Sequence, residues 1–370
     1  MKIFIAGDVM PTEVTEAFFD KGDVKALFGT VSDLFANADR VIINHEGALT
    51  YRETPIRKMG PNLKGKPEHA KVLKALGVTD AGLSNNHSFD YGQEALLDTE
   101  KALNEAGICT MGIGENEQAA RKPHYFSIRD KKIAVLAVCE HEYSYALPDQ
   151  LGTWGFDPFE TMEDITNAKK EADYVFVLYH GGKEFCHYPS PRLRKACKAM
   201  VRAGADAVFC QHSHCIGAYE QYQDAHILYG QGNFNFIKNK DDIDWKLGLV
   251  VELNIDETAP NGKIEIDFHP WVITDTGITL AEGEEREAIL KQFATYTEHL
   301  QDEQTWLAEW RRFCKSKEDL YREGIHNVLA KGKDADPREI FPHFLDCEAH
   351  TDVWRELFPT WHAKKETEQK

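Results

Sequence analysis

Five apolar runs of the sequence are each followed directly by side chains that can bind a metal ion. The candidate ligands are Asp8, Glu46, Asn86, His180, His212 and His214. In open α/β sheets, ligand sites form just beyond the carboxyl ends of the strands, so these side chains are expected to converge. Oxygen and nitrogen donors without thiolates suit Mn²⁺, Fe or Zn²⁺. Six ligands are too many for one tetrahedral ion with an open position, so we predict two divalent ions bridged by Glu46.

The segment Ser84-Asn85-Asn86-His87-Ser88-Phe89-Asp90-Tyr91-Gly92 carries the most specific of these patterns. The amide oxygen of Asn86 is a neutral ligand, while the neighbouring imidazole can stay unligated and donate a proton to a leaving group. Asp90 could orient His87 through its second ring nitrogen. We therefore predict His87 and Asp90 as catalytic residues. The alternative is a helix-capping turn in which the histidine is incidental.

Two strand ends supply the carboxylates Asp8 and Glu46. Side chains alternate along a strand, so Asn44 and Glu46 share one side, while His45 faces the other side and is left out of the site. Each acid alone has a simpler interpretation as a solvated side chain in a turn. The prediction depends on their occurring together with the histidines.

The histidines follow two further strands. Two glycines after His180 leave its imidazole uncrowded and let backbone approach a ligand closely. His212 and His214, at i and i+2 on extended backbone, would point the same way and reach two neighbouring ions. The glycine-rich run Gly230-Gln231-Gly232-Asn233-Phe234 could close the floor of the same pocket. A lone histidine at a strand end is more often structural.

Residues 1–275 alternate strand-like apolar runs with amphipathic helical stretches, a pattern that builds a buried sheet covered by helices. Strands are predicted at 2–6, 40–44, 80–84, 108–112, 132–139, 173–179, 205–211, 226–230, 248–255 and 264–273. Helices are predicted at 24–36, 68–76, 93–106, 162–171 and 192–203. Gly107 and Gly204 suit left-handed caps at two helix ends. The predicted fold class is α/β.

The pattern changes after residue 275, where strand signals stop and charged stretches with helical apolar spacing begin, as at Trp306, Trp310 and Phe313. We predict a catalytic domain at 1–275, a helical appendage at 276–362 and a disordered tail at 363–370. The appendage is interpreted as a packed cap or as a dimerisation arm, which would make the protein a homo-oligomer.

The charge and the cysteines limit the partners and the compartment. The chain has 43 Lys and Arg against 61 Asp and Glu, a net charge of −18, so its field repels nucleic acid and anionic membranes. Its 8 cysteines form no CxxC motif, which is typical of reduced thiols. No apolar run reaches the roughly 20 residues of a membrane helix, and the chain opens on a core strand instead of a signal peptide. We predict a cytoplasmic protein.

These segments, in this order, resemble the calcineurin-like metallophosphoesterase superfamily and, within it, the capsule-type poly-γ-glutamate synthesis (CapA) family. The resemblance covers roughly residues 1–275 and rests on Gly7-Asp8, Asn44-x-Glu46, Asn85-Asn86-His87-x-x-Asp90-Tyr91-Gly92, His180-x-Gly182-x-Glu184, His212-x-His214 and Gly232-Asn233-Phe234. It implies a four-layer α/β/β/α sandwich. It also implies one metal on Asp8 and His214, the other on Asn86, His180 and His212, with Glu46 between them and His87 as general acid.

The sequence departs from the family pattern beside the ligands. The usual Asp-x-His first motif is Asp8-Val9-Met10 here, which leaves one metal with a protein ligand fewer. The aromatic residue that follows the fourth-motif histidine in the family is Gly181 here. The Gly-His-His-Pro-His run is replaced by Cys210-Gln211-His212-Ser213-His214. These changes could widen or retune the pocket.

The predicted substrate-binding residues are Asn44, Glu184, Arg57, Lys58 and Asn233. Arg57 and Lys58 belong to a basic stretch with Arg52, Lys64 and Lys66, which is unusual in so acidic a chain. The hypothesis is that this basic loop steers an anionic substrate, small or polymeric, towards the metals. The alternative is an ordinary solvated loop.

Three functions are compatible with these residues. The first is hydrolysis of a phosphodiester or phosphomonoester by a metal-bound hydroxide, because a metal pair lowers the pKa of water and neutralises charge on a phosphoryl group. The second keeps the metals and cleaves an amide such as a γ-glutamyl link. The third is a metal-stabilised, non-catalytic component that binds an anionic polymer in poly-γ-glutamate or polysaccharide metabolism.

Overall fold

The computed structural model describes residues 1–238, 242–256, 262–332, 336 and 341–359, so the predicted disordered tail, 363–370, lies outside the described residues. The strands are β1 (Lys2–Val9), β2 (Arg40–His45), β3 (Ala48–Leu49), β4 (Lys64–Gly65), β5 (Asp80–Gly82), β6 (Cys109–Met111), β7 (Ile113–Gly114), β8 (His124–Ile128), β9 (Lys131–Cys139), β10 (Gly152–Thr153), β11 (Tyr174–His180), β12 (Ala207–Gln211), β13 (Tyr219–Tyr222), β14 (Ala225–Leu228), β15 (Leu247–Ile255), β16 (Ile264–Ile273) and β17 (Ile278–Leu280).

Helices precede, separate and follow these strands. They are α1 (Glu16–Lys21), α2 (Val24–Phe28), α3 (Val31–Phe35), α4 (His69–Leu76), α5 (Gln93–Glu105), α6 (Glu117–Ala120), α7 (Pro158–Glu171), α8 (Pro191–Ala203), α9 (Gly283–Gln301), α10 (Glu303–Ser316), α11 (Glu318–Lys331) and α12 (Glu348–Leu357). A 3-10 turn, Ile243–Lys246, precedes β15, and a π-helical turn, Phe341–Asp346, precedes α12.

Two large sheets stack face to face in the described part of the chain. Their strand orders are β17-β16-β15-β1-β2-β5-β6 and β13-β14-β12-β11-β9-β8. Apolar side chains of both sheets, such as Ile5, Leu249, Val135 and Phe176, form one core between them. The outer face of the first sheet packs on α1 to α5, and that of the second on α7, α8 and later helices. The predicted four-layer α/β/β/α sandwich is confirmed.

Strand periodicity explains why polar groups are confined to the strand ends. In β1, Ile3 and Ile5 point to the core between the sheets, whereas Phe4 points to the helices. In β11, all seven residues from Tyr174 to His180 are buried, because parallel strands covered on both faces leave no side exposed to water. A functional polar side chain is therefore expected at the end of its strand.

Some elements, such as α1 and β8, have no counterpart among the predicted ones, and several bounds are shifted by a few residues. Two further differences concern the architecture. The helix predicted at 24–36 is divided into α2 and α3, because Gly29 adopts a φ of 47° that ends the first helix. Strand structure also continues past residue 275, since β17 pairs with β16 at the sheet edge.

The C-terminal helices pack against the outer face of the second sheet. Trp306 and Trp310 of α10, Tyr321 of α11 and Val353 of α12 join the core formed with β9 and β11. Buried ion pairs add to this contact, since Arg192 of α8 pairs with both Glu140 and Asp352. Among the described residues, no helix combines the length and apolar content needed to cross a bilayer.

Candidate metal centre

Strand ends of both large sheets meet at one place. In the first sheet, Asp8 lies in β1 and Glu46 directly follows β2. In the second sheet, His180 is the last residue of β11 and His212 directly follows β12. The backbone of residues 231–234 joins them, because the amide N–H of Phe234 donates to the carbonyl of Asp8 at 2.6 Å. Ligand candidates up to about 200 residues apart in sequence thus share one cluster.

The cluster divides into two ligand groups that share Glu46. One consists of Glu46, His180 and His212, and the other of Asp8, Glu46 and His214, with the ligand atoms of each group within 4.8 Å of one another. All five side chains are buried. A shared carboxylate between two such groups is the arrangement expected for a pair of bridged cations.

Unsatisfied polar atoms show that these residues fit a metal. Both carboxylate oxygens of Glu46 and Nδ1 of His212 are buried and have no hydrogen-bond partner among the described residues. Such atoms are rare in folded proteins, because an unpaired buried polar atom costs about 1–3 kcal/mol, and a bound cation would satisfy them. The residues present therefore suit divalent cations.

The pKa shifts agree with this interpretation. Burial, and then repulsion from Asp8, raises the pKa of the Glu46 carboxyl well above its ordinary value. Burial lowers the pKa of His180 well below its ordinary value and that of His212 to about 4. These imidazoles are neutral at physiological pH, which is the form that binds metals.

Two asparagines connect the ligands. Asn44 donates from Nδ2 to Asp8 Oδ1 at 2.7 Å, and the same nitrogen lies 3.2 Å from His180 Nδ1. Asn86 places Oδ1 3.0 Å from His180 Nε2 and donates from Nδ2 to Glu142 Oε2 at 2.8 Å. The structure brings Asn86 to the cluster and puts Asn44 between the two ligand groups.

His87 and Asp90 lie beside the cluster with Lys58. Nδ1 of His87 is 2.6 Å from Asp90 Oδ2, and Nε2 of His87 is 4.0 Å from Glu46 Oε1. Lys58 Nζ pairs with Asp90 Oδ1 at 2.6 Å and is 3.3 Å from His87 Nδ1. Burial, and then the Lys58 ammonium, lowers the pKa of the His87 imidazole. One ring nitrogen is thus anchored while the other faces the ligands.

The backbone at His212 and His214 is not extended, so the conformation predicted from their i and i+2 spacing is wrong. Their φ angles are 83° and 54°, in the left-handed region that favours glycine. Strain of this kind is concentrated at functional sites. His214 is also held by Asn233, whose Oδ1 lies 2.9 Å from His214 Nδ1. The left-handed turns, rather than strand alternation, direct the two rings to the two groups.

The remaining predicted substrate-binding residues differ in their placement. The Glu184 side chain is 39% exposed and lies 3.3 Å from the Lys183 ammonium. Nδ2 of the buried Asn233 lacks a hydrogen-bond partner among the described residues. Arg57 is 63% exposed and pairs with Asp336 at 2.7 Å, outside the ligand cluster.

The other cations of the basic loop also pair with carboxylates. Arg52 pairs with Asp98, Lys64 with Glu53, and Lys66 with Asp20. Each of these positive charges is offset by a nearby negative charge, which weakens the attraction of a distant anion. The steering hypothesis gains no support from this arrangement.

Sequence reasoning missed a group beside Asn86. Glu142 follows β9 and contacts Asn86, while His343 and His350 come from the C-terminal segment. The rule used for the other strand ends would have found Glu142, because β9 ends at Cys139 and is followed by Glu140-His141-Glu142. No local signal marks His343 or His350, because their approach depends on how the C-terminal helices pack.

Replacing Gly7 by alanine is expected to lower the free energy of unfolding by about 1–3 kcal/mol, as overpacking does. A Cβ at Gly7 would lie 2.2 Å from the carbonyl oxygen of Gly232, so β1 and the 231–234 segment would have to separate. Urea unfolding checks this. Gly82→Ala is the control, because the nearest atom to its Cβ would be the flexible end of Leu178, at 3.3 Å, and its other neighbours lie at ordinary contact distances. Equal stability of the two variants would contradict the prediction.

A four-layer α/β/β/α sandwich with carboxylates, an amide and imidazoles gathered at its strand ends defines a member of the metallophosphoesterase superfamily. Within that superfamily, the chain belongs to the family described as bacterial capsule synthesis protein PGA_cap, which matches residues 2–238. The family resemblance noted from the motifs is confirmed. The match ends before β15, so the C-terminal helices lie outside it.

Two relatives carry capsule or PGA biosynthesis names. The capsule biosynthesis protein CapA of Bacillus anthracis is 31% identical over 278 residues, which are 69% of this chain and 68% of the relative. The PGA biosynthesis protein CapA of Bacillus subtilis (strain 168) is 30% identical over 234 residues, 62% of each chain. The crystal structure of a hypothetical protein from Thermus thermophilus aligns with a TM-score of 0.49 at 15% identity, over 74% of this chain and 100% of the other.

Proposed function

We propose that this protein is a hydrolase that uses two divalent cations to cleave a phosphoester. The observation that carries the proposal is Glu46, a buried carboxylate that is shared by two ligand groups and whose two oxygens have no hydrogen-bond partner among the described residues. Asp8 and His214 would hold one cation, and Asn86, His180 and His212 the other. Mn²⁺, Fe and Zn²⁺ all suit this donor set.

The side chains of the centre would act mainly by holding and orienting. When bound, a pair of cations would make a water molecule acidic enough to attack near neutral pH and would offset charge on a phosphoryl group. Asn44 keeps Asp8 in place through its amide hydrogen bond. Nδ2 of Asn233, which has no hydrogen-bond partner in the described part of the chain, would donate to an anionic oxygen of a substrate. Donors fixed in advance are effective because they need no reorganisation during the reaction.

His87 is proposed as the general acid. Its Nε2 faces the cluster, 4.0 Å from Glu46, while Nδ1 is fixed by Asp90. Lys58, only 2% exposed, holds the other oxygen of Asp90. In this interpretation Lys58 holds the general acid, His87, in position through Asp90. It does not contact the substrate from the solvent side. Asp90 then sets the orientation of the ring.

The direct test uses protein loaded with Mn²⁺ after chelator treatment. We expect turnover of bis(p-nitrophenyl) phosphate or p-nitrophenyl phosphate, and no turnover of γ-glutamyl p-nitroanilide. The His212→Ala variant should be inactive at any metal concentration tested. Turnover of the anilide alone would favour the amide hydrolase. Inactivity towards both classes, with metal bound, would favour the non-catalytic component.

The His87→Asn variant should distinguish a general acid from a metal ligand. We expect a loss of about 10²–10⁴-fold in kcat for an alkyl phosphodiester, whose leaving group must be protonated. The loss should be much smaller for a p-nitrophenyl ester, because p-nitrophenolate leaves without a proton. Steady-state kinetics and elemental analysis measure both effects, with metal content unchanged.

The matched control is His299→Asn, a histidine of α9 that contacts Tyr188 outside the cluster. It should behave as the parent does towards both esters. Equal losses for His87→Asn on the two esters would rule out the general-acid role.

The substrate is proposed to be an anion that is part of, or linked to, a polymer. The names of two relatives, a capsule and a PGA biosynthesis protein, support this class for the family. A centre of paired cations inside a chain with a net charge of −18 would supply the local positive charge that an anion needs. The protein would then act on a polymer end or a phosphorylated precursor.

A further inference from the structure

The C-terminal segment reaches the metal centre through a largely buried series of side-chain contacts. Asn86 donates to Glu142 Oε2 at 2.8 Å, and Nδ1 of His343 lies 2.5 Å from Glu142 Oε1. The ring of His343 packs on that of His350 with centroids 4.0 Å apart. His350 is held in turn by the hydroxyl of Tyr321, 2.9 Å from its Nδ1. Contacts therefore run without a break from α11 to a proposed metal ligand.

We propose that Glu142 and His343 are positioning residues that fix the amide of Asn86 for metal binding, so that the C-terminal segment forms part of the metal centre. The inference rests on the proposed function, in which Asn86 is a ligand. His343 lies outside the residues matched by the family, which end at 238.

The orientation of the amide explains what Glu142 would do. An asparagine amide has an acceptor on one side and donors on the other, and only the oxygen binds a cation. With Nδ2 bonded to the Glu142 carboxylate, Oδ1 has to face His180, from which it lies 3.0 Å. A rotation of the amide by half a turn would set its oxygen against the carboxylate. Glu142 therefore excludes the orientation that cannot bind metal.

His343 would keep Glu142 in place. The Glu142 side chain is 7% exposed and that of His343 is 21% exposed, so their contact is largely shielded from water. Hydrogen bonds to a carboxylate in such surroundings are stronger than those between neutral groups. Removal of the imidazole would leave Oε1 without this partner and let the carboxylate turn away from Asn86.

The donor set of Glu142, His343 and His350 also resembles a metal site, but its atoms are already bonded. Both oxygens of Glu142 have partners, and His350 Nδ1 is bonded to Tyr321. The other nitrogen of His350, Nε2, lies 3.5 Å from the Lys183 ammonium, which would repel a cation. In contrast, Glu46 and His212 have unpaired ligand atoms among the described residues. The C-terminal group is therefore a hydrogen-bonded support.

The same side of the centre is closed to substrate. A cavity of about 10 Å³, lined by Asn86, Glu142, His180, His212 and Cys347 among others, separates the ligands from the C-terminal segment. This volume holds about one water molecule. A phosphoester therefore has to approach from another side of the cluster, and the described residues Glu142 and His343 would act on the reaction through the ligands.

The test measures metal affinity in the full chain, by calorimetry with Mn²⁺ and by the absorption spectrum with Co²⁺. His343→Ala and Glu142→Leu should each weaken one of two metal equivalents by about 10–100-fold, the usual effect of losing such a support, and leave the other unchanged. His343→Gln should restore affinity, since its amide can still donate to Glu142. If the His343 ring were needed only for packing, His343→Gln would not restore the metal affinity. His326→Ala, an exposed histidine of α11, is the control.

The inference would be overturned if His343→Ala and Glu142→Leu both bound two equivalents of metal with the affinity of the parent. Three equivalents in the parent and two in His343→Ala would also overturn it, because the group would then be a metal site of its own. If His343→Ala does not fold, Glu142→Leu and His343→Gln still test the inference. If Glu142→Leu does not fold, the two His343 variants still test it. Absence of phosphoester turnover in a parent that binds two ions would contradict the proposed function and leave the affinity comparison unaffected.

Discussion

The Glu46→Gln variant is expected to lose both metal equivalents and to hydrolyse phosphoesters at least about 10³-fold more slowly, a barrier increase of about 4 kcal/mol. Glu46 is the carboxylate shared by the two ligand groups, and it is fully buried. A neutral amide cannot bridge two cations as a carboxylate does. Elemental analysis after dialysis and kinetics with a p-nitrophenyl phosphodiester measure the two effects.

The same variant should be more heat-stable than the parent when both lack metal. Burial and the neighbouring Asp8 raise the pKa of Glu46, so the ionised side chain is unfavourable in the metal-free fold. Glutamine removes this repulsion, whereas Mn²⁺ should raise the Tm of the parent and not that of Glu46→Gln. Glu105→Gln, at a site 69% exposed, is the matched control and should follow the parent. A Glu46→Gln protein that binds two ions with parent affinity would refute the bridging role.

The Arg192→Met variant is expected to lose about 3–5 kcal/mol of unfolding free energy. Arg192 donates from Nε to Asp352 at 2.9 Å and also pairs with Glu140, and both carboxylates are about 5% exposed or less. Without the guanidinium, two buried negative charges would remain near each other. Because Asp352 belongs to α12, the C-terminal segment should also loosen. Urea unfolding and hydrogen exchange of α12 measure these effects.

Arg355→Met provides a matched control at the same carboxylate. Arg355 is 72% exposed and lies 3.7 Å from Asp352. Exposed ion pairs contribute about 0–1 kcal/mol, so this variant should unfold close to the parent. Similar stability losses in the two arginine variants would show that the buried network does not anchor the C-terminal segment.

Much of the ligand set could be predicted because parallel strands that are buried on both faces carry functional polar side chains at their ends. Asp8, Glu46, His180 and His212 each follow a run of apolar residues, and the structure brings them together at adjoining strand ends. The roles assigned to these residues stay predictions until metal binding is measured. The fold class could be predicted for the same reason, since the alternation of apolar strands and amphipathic helices is a local property.

Other features depended on contacts between distant segments. The basic loop looked like a free cationic surface, but Lys58 is buried against Asp90, and Arg57 pairs with Asp336. The conformation at His212 and His214 was also not predictable, because left-handed backbone is unfavourable for histidine unless surrounding structure imposes it. Sequence patterns describe neighbours along the chain, and these outcomes are set by neighbours in space.

The α/β class, the family and the strand ends that carry ligand-type residues follow from the sequence alone, because hydrophobic periodicity and motif spacing are properties of neighbours along the chain. The folded chain was needed to find that Glu46 is shared by two ligand groups and that Glu142 faces Asn86. It was also needed to find that His343, more than 200 residues from Glu142, contacts the same carboxylate. The physical reason is that such contacts depend on how the second sheet and the C-terminal helices pack, which short-range patterns do not specify.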